Sequence, residues 1–478
     1  MSVKTFSYSI ETDVPSTYIK NLMDFIYANY VAPQRRRFID VSKRMVDDDV
    51  FLNFTVQDSV GRNILAVEIK GGKPIKLEVA QLDDAVSEEK INEVKQDIII
   101  AVELFEERVR RSTLFFAWRE GEEILPEELH GKEKKPINRL LLETQILLSV
   151  VFISLGLLLF LILGWLAPVV LLAMQFIVVF YSNKIIARTA DWHITKSNPS
   201  IHFLEYHLPL EEHDAFRRKF PRDKVIELKE KIYEETVSKK GEIDCETAHQ
   251  IFLKYGFECK PENLTSKKVN IYQLVKKTAE KFGFPTPEIV VYNTIIPNAA
   301  ASGPSPSRGV VLITTGLLVQ LNEDEILSVL GHEFSHLKGR DPLVLYGLGA
   351  CEFLFRFYVL FPSFPYIFFS FLFFAYFWAV MTAIYFIAKF FEARADLVSA
   401  VVIGQPQVLA EALEKIGYRR LMYERVPSFR FQEWISLEPH PPLYFRINRL
   451  RKLKVSAQVK YPFLQSVRDV VNGFFASL

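Results

Sequence analysis

Forty consecutive positions, Thr144 to Asn183, carry no charged residue. As one α-helix rising ~1.5 Å per residue, that stretch would measure about 60 Å, twice the ~30 Å hydrocarbon core of a bilayer. Its midpoint reads Gly164-Trp165-Leu166-Ala167-Pro168, turn-forming residues with an aromatic suited to a membrane surface. Two spanning helices joined by a tight turn therefore fit better than one long helix. A buried hairpin in a soluble protein rarely stays uncharged this long. A second apolar region, Leu343 to Ala388, holds only Glu352 and Arg356 as charges. It absorbs much of the aromatic excess, since fourteen of the 40 Phe fall between Phe353 and Phe391. Pro362-Ser363-Phe364-Pro365 breaks this region into pieces of 19 and 23 residues, each long enough to span. The expectation is four spans in two hairpins. Glu352 and Arg356, four apart on one helix face, are expected to pair inside the bundle; a wet cavity opening toward a site is the alternative.

Basic residues flank the apolar stretches. Lys132, Lys134, Lys135 and Arg139 precede the first, and Lys184 and Arg188 follow it. Lys338 and Arg340 precede the second, and Lys389 and Arg394 follow it, while the inter-span turns carry no Lys or Arg. The positive-inside bias then puts all soluble segments in the cytoplasm of a multi-pass protein of the cell membrane. Under that topology the sequon Asn263-Leu264-Thr265 is idle. Cys245, Cys259 and Cys351 show no CxxC pair, so neither a disulfide framework nor a Cys-rich zinc module is expected. The N-terminal MSVKTFSYSIETDVP lacks the apolar region of a cleaved signal. Fifty-eight Lys+Arg against 57 Asp+Glu leave a net charge of +1, without the basic excess of a nucleic-acid binder.

These features divide the chain into an N-terminal α+β cytoplasmic domain (1–130), a first transmembrane hairpin (144–183), the first half of a catalytic domain (184–342), a second transmembrane hairpin (343–388) and the second half of the catalytic domain (389–478). Period-two alternation predicts strands at Phe6–Glu11, Phe51–Val56, Ile64–Ile69 and Ile75–Val79, with a Gly71-Gly72 turn between the last two. Helices are expected at Thr17–Tyr30 and Ser87–Trp118, and a loop at Glu120–Pro136. Further along, Lys224–Val237, Cys245–Lys254 and Val269–Lys281 read as amphipathic helices, while Glu288–Tyr292 and Val310–Thr314 read as short strands. The whole is a mainly α integral membrane protein with a small β-sheet near the candidate site.

The strongest chemical signal is His332-Glu333-Phe334-Ser335-His336. Residues i and i+4 share a helix face, so both imidazoles can reach one ion at ~2.0–2.1 Å. Glu333 projects beside them, where it can take a proton from a water activated by zinc, whose pKa falls from ~15.7 to about 7. Tetrahedral zinc then lacks one protein ligand. Glu392, in Phe391-Glu392-Ala393-Arg394-Ala395-Asp396, is the candidate, and Asp396 one turn later can accept a hydrogen bond from a ligand histidine and fix its tautomer. His130, His193, His202, His207, His213 and His249 form no comparable pair and read as surface or satisfied histidines. An acid just past a membrane helix is often only a solvated terminus; its pairing with the histidine motif argues otherwise.

Several separated motifs together resemble the HtpX-like membrane zinc endopeptidases, gluzincins related to the type I CAAX prenyl proteases. They are Asn298-Ala299-Ala300-Ala301-Ser302-Gly303, the strand Gly309–Thr315 with Gly316-Leu317-Leu318, the zinc helix ending in Lys338-Gly339-Arg340-Asp341, Glu392-x-x-x-Asp396, and His440-Pro441-Pro442 with Arg446-Ile447. The resemblance covers roughly residues 146–450. It implies a zincin-type peptidase with one zinc ion on His332, His336 and Glu392, and Glu333 as general base and acid. It also implies that Val310–Thr314, with Val311, is the edge strand pairing with extended substrate. Asn298 and Ala299 would contact substrate, and His440 and Arg446 would bind it or stabilise the oxyanion; helix capping and a surface salt bridge are the bland alternatives for these two.

The expected function is zinc-dependent hydrolysis of membrane or unfolded polypeptides in membrane protein quality control. About 140 residues precede the first span, unlike the family pattern, so nothing in the motifs explains them. The alternatives are a non-catalytic scaffold or sensor, a CAAX-type processing protease, and a peptidase acting inside the bilayer. Four spans are few for the CAAX type, and the charges around the zinc helix, Glu323, Asp324, Glu325, Lys338, Arg340 and Asp341, favour the membrane surface over its interior at ~2.5–3.5 kcal/mol each.

Overall fold

Alternating apolar residues near the N-terminus close into an antiparallel sheet. In the computed structural model, residues 4–12, 14–46, 49–58, 60–121, 145–208, 216, 218–239, 243, 245–255, 260, 263–368, 370–424, 427–454 and 459–477 are described. Strands β1 (Lys4–Ile10), β2 (Phe38–Val46), β3 (Asp49–Gln57), β4 (Asn63–Lys70) and β5 (Ile75–Gln81) pair in the order β1-β5-β4-β3-β2. The β4–β5 hairpin turns after Lys70, opposite Lys76, at the Gly71-Gly72 site. Helices α1 (Ile19–Ile26) and α2 (Glu88–Ser112) cover one face, packing Leu22, Met23, Ile26, Val94 and Ile98 on Leu52, Phe54, Val67 and Leu77. Two buried hydrogen bonds support this core, Tyr30 to Asp97 at 2.8 Å and Thr12 to Glu106 at 2.7 Å.

The helix expected over Ser87–Trp118 stops at Ser112. Residues Thr113–Arg119 form a strand instead, buried from Phe116 to Arg119 as well as at Leu114; its Thr, Phe, Phe and Trp are residue types that favour a strand. This strand joins Ser200–His207 and Leu264–Asn270 in a three-stranded sheet with Ser200–His207 at its centre. The chain forms two compact units, Met1–Phe116 with Phe203–Lys267 and Ala117–His202 with Lys268–Leu478. Residues 203–267 thus cluster with the N-terminal strands rather than with the histidine motif.

The second unit contains the apolar helices. Helix α3 (Gln145–Leu163) ends at Gly164, whose φ of 56° is left-handed, and α4 (Ala167–Phe180) follows at once. The chain folds back there, since a Cβ on Gly156 would touch Leu171 at 4.0 Å. Among the described residues, three helical stretches are long and apolar enough to cross a membrane: Ser154–Phe180, Asp341–Ser363 and Phe371–Ile403. Four were expected; the first of these three stretches is interrupted at Gly164–Leu166, between α3 and α4. The flanking Lys132, Lys134, Lys135 and Arg139 lie outside the described residues. Helix α5 (Glu323–Gly339) is followed by α6 (Asp341–Phe355), which continues as a π turn to Leu360, and by α7 (Phe371–Ile403), α8 (Pro406–Glu424), α9 (Leu443–Lys452) and α10 (Pro462–Phe475). Glu352 and Arg356 pair at 2.9 Å, and Tyr376 of α7 donates to Glu352 at 3.2 Å, so the intramembrane charges are satisfied within the hairpin. Beside these helices, β6 (Trp192–Ile194), β7 (Glu288–Tyr292), β8 (Ala299–Ser302) and β9 (Val310–Thr314) form a sheet of order β8-β9-β7-β6.

Candidate metal centre

Helix α5 owes its firm ends to local chemistry. Asn322 caps its first turn, accepting from the Glu325 amide at 2.9 Å, while Glu325 accepts from the Asn322 amide at 2.9 Å and pairs with Lys415 at 2.8 Å. At its other end Arg340 adopts a left-handed conformation with φ of 55°, which turns the chain sharply into α6. On the buried face between these ends lie His332 and His336. Helix α7 crosses α5 so closely that a Cβ on Gly331 would come within 2.6 Å of both Ile403 and Ser399, and Ser399 donates to the Ser328 carbonyl at 2.7 Å. This contact carries Glu392, in the C-terminal part of the Phe-rich helix, to the histidines.

Three ligand atoms converge. His332 Nε2 and His336 Nε2 are 3.1 Å apart, and each lies 3.3 Å from an oxygen of Glu392. All fall within 4.8 Å of one another. The opposite ring nitrogens are occupied: His332 Nδ1 lies 2.8 Å from Asp396, and His336 Nδ1 lies 2.8 Å from Asp341. With protons on Nδ1, both Nε2 lone pairs face the same point. A tetrahedron with ligands at ~2.0–2.1 Å has edges of about 3.3 Å, so this donor set has the spacing and chemistry of a zinc site. Burial opposes a charge on His332, yet the carboxylates of Asp396 and Glu392 outweigh it and push its pKa up to about 10. The enclosure favours a positive charge. Among the described residues no other such group of His, Cys, Asp and Glu atoms occurs.

Glu333 accepts the Ala301 amide of β8 at 3.1 Å, beside a cleft of about 550 Å³. Asn298, Ala299, Ala300 and Ala301 form one wall of the cleft, and Glu333, the histidines and His440 its floor. Asn298 is pinned to the end of β9 through three bonds to Thr314, at 2.8, 3.0 and 3.1 Å. His440 Nδ1 lies 2.7 Å from Glu392, with its side chain 41% exposed, so its ring opens into the cleft. Arg446, in contrast, is buried and binds Asp396 through two nitrogens at 2.8 and 2.7 Å. It is not a surface salt bridge, and its pKa is raised, because the Asp396 charge outweighs burial. Val311 does not reach the cleft as an edge residue. Strand β9 is paired on both sides, antiparallel to β8 and parallel to β7, and Val311 is fully buried. The exposed edge is β8, so the expected edge-strand assignment of Val310–Thr314 is corrected: its unbroken apolar run suits an interior strand.

Sequence reasoning missed three participants. Asp341 orients His336, and Arg394 binds Asp341 at 2.5 Å and the Ser335 carbonyl at 3.2 Å. The approach needs Gly339, where a Cβ would lie 2.2 Å from the Arg394 guanidinium. Lys389 is fully buried and donates to the Ser436 and Glu438 carbonyls, holding the loop that ends in His440. As sequence, Lys389 and Arg394 are basic flanks of an apolar helix; their three- and two-residue spacing from Glu392 is the signal that ties them to the site. Of the remaining histidines, His193 lies 3.4 Å from Glu288, His202 and His207 are buried, and His130 and His213 lie outside the described residues.

Residues 265–454 match the model of peptidase family M48. The chain is 33% identical over 210 residues to a protease HtpX homolog of Pyrococcus furiosus, a match that spans 38% of the chain and 73% of that relative. It is similar at 31% identity over 218 residues to the HtpX homolog of Pyrococcus abyssi (40% of the chain, 75% of the relative) and at 34% over 232 residues to that of Methanopyrus kandleri (42% and 70%).

Proposed function

Because the chain belongs to peptidase family M48, alongside the HtpX-type proteases, we propose that this membrane metalloprotease is a zinc endopeptidase cleaving polypeptides at the cytoplasmic face. One observation carries the reading: two Nε2 atoms and a carboxylate meet with 3.1–3.3 Å edges while Asp396 and Asp341 occupy the opposite ring nitrogens. His332, His336 and Glu392 hold the ion, which when bound polarises the scissile carbonyl and lowers the pKa of water. Glu333 takes a proton from the attacking water on its free oxygen and delivers it to the leaving amine, its other oxygen being held by the Ala301 amide. An extended substrate adds to the open edge of β8, where Asn298 and Ala299 begin the contact surface. His440 faces the developing oxyanion across the cleft. Arg446 acts one step back, fixing Asp396 and through it His332.

Helices α3 and α4 form one two-span hairpin and α6 with α7 the other, so that the soluble segments share the cytoplasmic side and the substrates are membrane or unfolded proteins under quality control. In detergent-purified protein, Glu333→Gln is expected to retain zinc by metal analysis and to lose cleavage of an unfolded substrate, and a chelator to abolish cleavage by the wild type. Unchanged cleavage by Glu333→Gln would remove the proposed role of that carboxylate.

A further inference from the structure

Helix α10 has two apolar faces, and among the described residues protein covers only one. Its inner face buries Ser466 and Val470 and sets Phe474 against Phe386 and Trp434, with ring centroids 5.5 and 6.2 Å apart. Phe463, at the other end, packs on Phe391 at 5.6 Å. The outer face carries Leu464, 63% exposed, and Phe475, 64% exposed. At 3.6 residues per turn these two lie within about 20° of each other, with exposed Arg468 and half-buried Val471 between them. Tyr461, 60% exposed, opens the helix, and Lys460 Nζ lies 5.5 Å from the centre of its ring. A stripe of large apolar groups edged by a cation and an aromatic is the composition of a helix lying in the membrane surface.

The position agrees with the composition. Counting ~20 residues for a hydrocarbon core from Phe371 brings α7 to the inner membrane boundary near Phe390, the level of its contacts with α10. Along α10, Phe463 and Phe474 are separated by about 16 Å of helix, whereas their partners Phe391 and Phe386 are separated by about 7 Å. Helix α10 packs on α7 at that boundary, from Ala393 and Phe391 to Phe386. Above this level α7 exposes Phe371, Leu372, Phe374 and Trp378, side chains suited to the hydrocarbon of a bilayer whose near boundary lies at α10. We infer that α10 is an interfacial helix whose outer face, Leu464, Val471 and Phe475, is seated on the lipid of the bilayer crossed by α7, with Arg468 and Lys460 at headgroup phosphates. Since Phe391 also lines the cleft, this contact fixes the height of the cleft at the membrane surface.

The test uses the full chain in single-copy lipid nanodiscs of phosphatidylcholine and phosphatidylglycerol, with Cys245, Cys259 and Cys351 replaced by Ser. An environment-sensitive fluorophore is attached at Leu464→Cys or Phe475→Cys, and, as the control, at Glu323→Cys, about 25 Å away along α5 from the start of α6. Nitroxide-labelled lipid is expected to quench positions 464 and 475 several-fold more than 323, and aqueous iodide to quench 323 several-fold more than the other two. Iodide quenching at 464 and 475 equal to that at 323 would place the face in water and overturn the inference. Shielding from both quenchers would mean that protein, such as a second copy, covers it, and would overturn the inference equally.

Discussion

Each ligand histidine leans on an aspartate, and each aspartate on an arginine: His332–Asp396–Arg446 on one side, His336–Asp341–Arg394 on the other. Such outer partners typically contribute 10–100-fold to metal affinity. Asp341→Asn and Arg394→Gln are therefore each expected to weaken zinc about 10–100-fold in competition with a chelator, with Arg394→Lys recovering part of the loss. Unchanged affinity in both would show that His336 needs no such support. The first triad was legible at Asp396, which follows Glu392 by one helical turn. The second was not, because Asp341 belongs to the next helix and reaches His336 only through the left-handed turn at Arg340. Elsewhere, burial first and the Lys73 charge second lower His207 to about 4, while its ring is paired with Thr113 at 2.9 Å. Between about pH 6.5 and 4 the unfolded chain takes up a proton that the folded unit refuses, so this unit should lose up to about 3 kcal/mol across that window. Thermal unfolding of wild type and His207→Gln against pH measures it; parallel curves would deny His207 the role.

At the level of elements, the site exists because α5 and α7 touch at Gly331. His332 and His336 ride on one helix and Glu392 on the other, so the separation of the helices sets the spacing of the proposed ligands. Gly331→Ala inserts a methyl where Ile403 and Ser399 already stand at 2.6 Å, and overpacking of this kind costs about 1–3 kcal/mol. A fall in both melting temperature and zinc content is expected; normal zinc content at reduced stability would uncouple packing from ligation. The helical i, i+4 face of α5 and Cys245–Lys254 were readable from their period, and the strands β7 and β9 from short β-branched apolar runs. Strands such as β8 and Thr113–Arg119 were harder. Ala299–Ser302 is too small and short to show a pattern, and Thr113–Arg119 follows a helix without a breaker, so its burial depends on pairing with residues far along the chain.

For the whole molecule, the membrane is written in composition: long uncharged runs have few other uses, and the placement of the apolar helices follows from them. The division of the soluble residues was less legible, because residues 203–267 return to the N-terminal strands through long-range pairing that no local pattern announces. A Cys introduced at Trp165, in the turn between α3 and α4, is expected to react with an impermeant reagent only from the side opposite Glu323→Cys in oriented vesicles; labelling of both from one side would exclude the two-hairpin topology. The proposed chemistry depends above all on a carboxylate, Glu392, from the far end of the Phe-rich helix completing the cation site. Zinc K-edge absorption and metal analysis of the full chain test this directly. The expected result is one zinc per chain bound by two imidazoles and oxygen, with zinc lost in Glu392→Ala and retained in Glu352→Ala. Sulfur ligation, or equal zinc in wild type and Glu392→Ala, would contradict it.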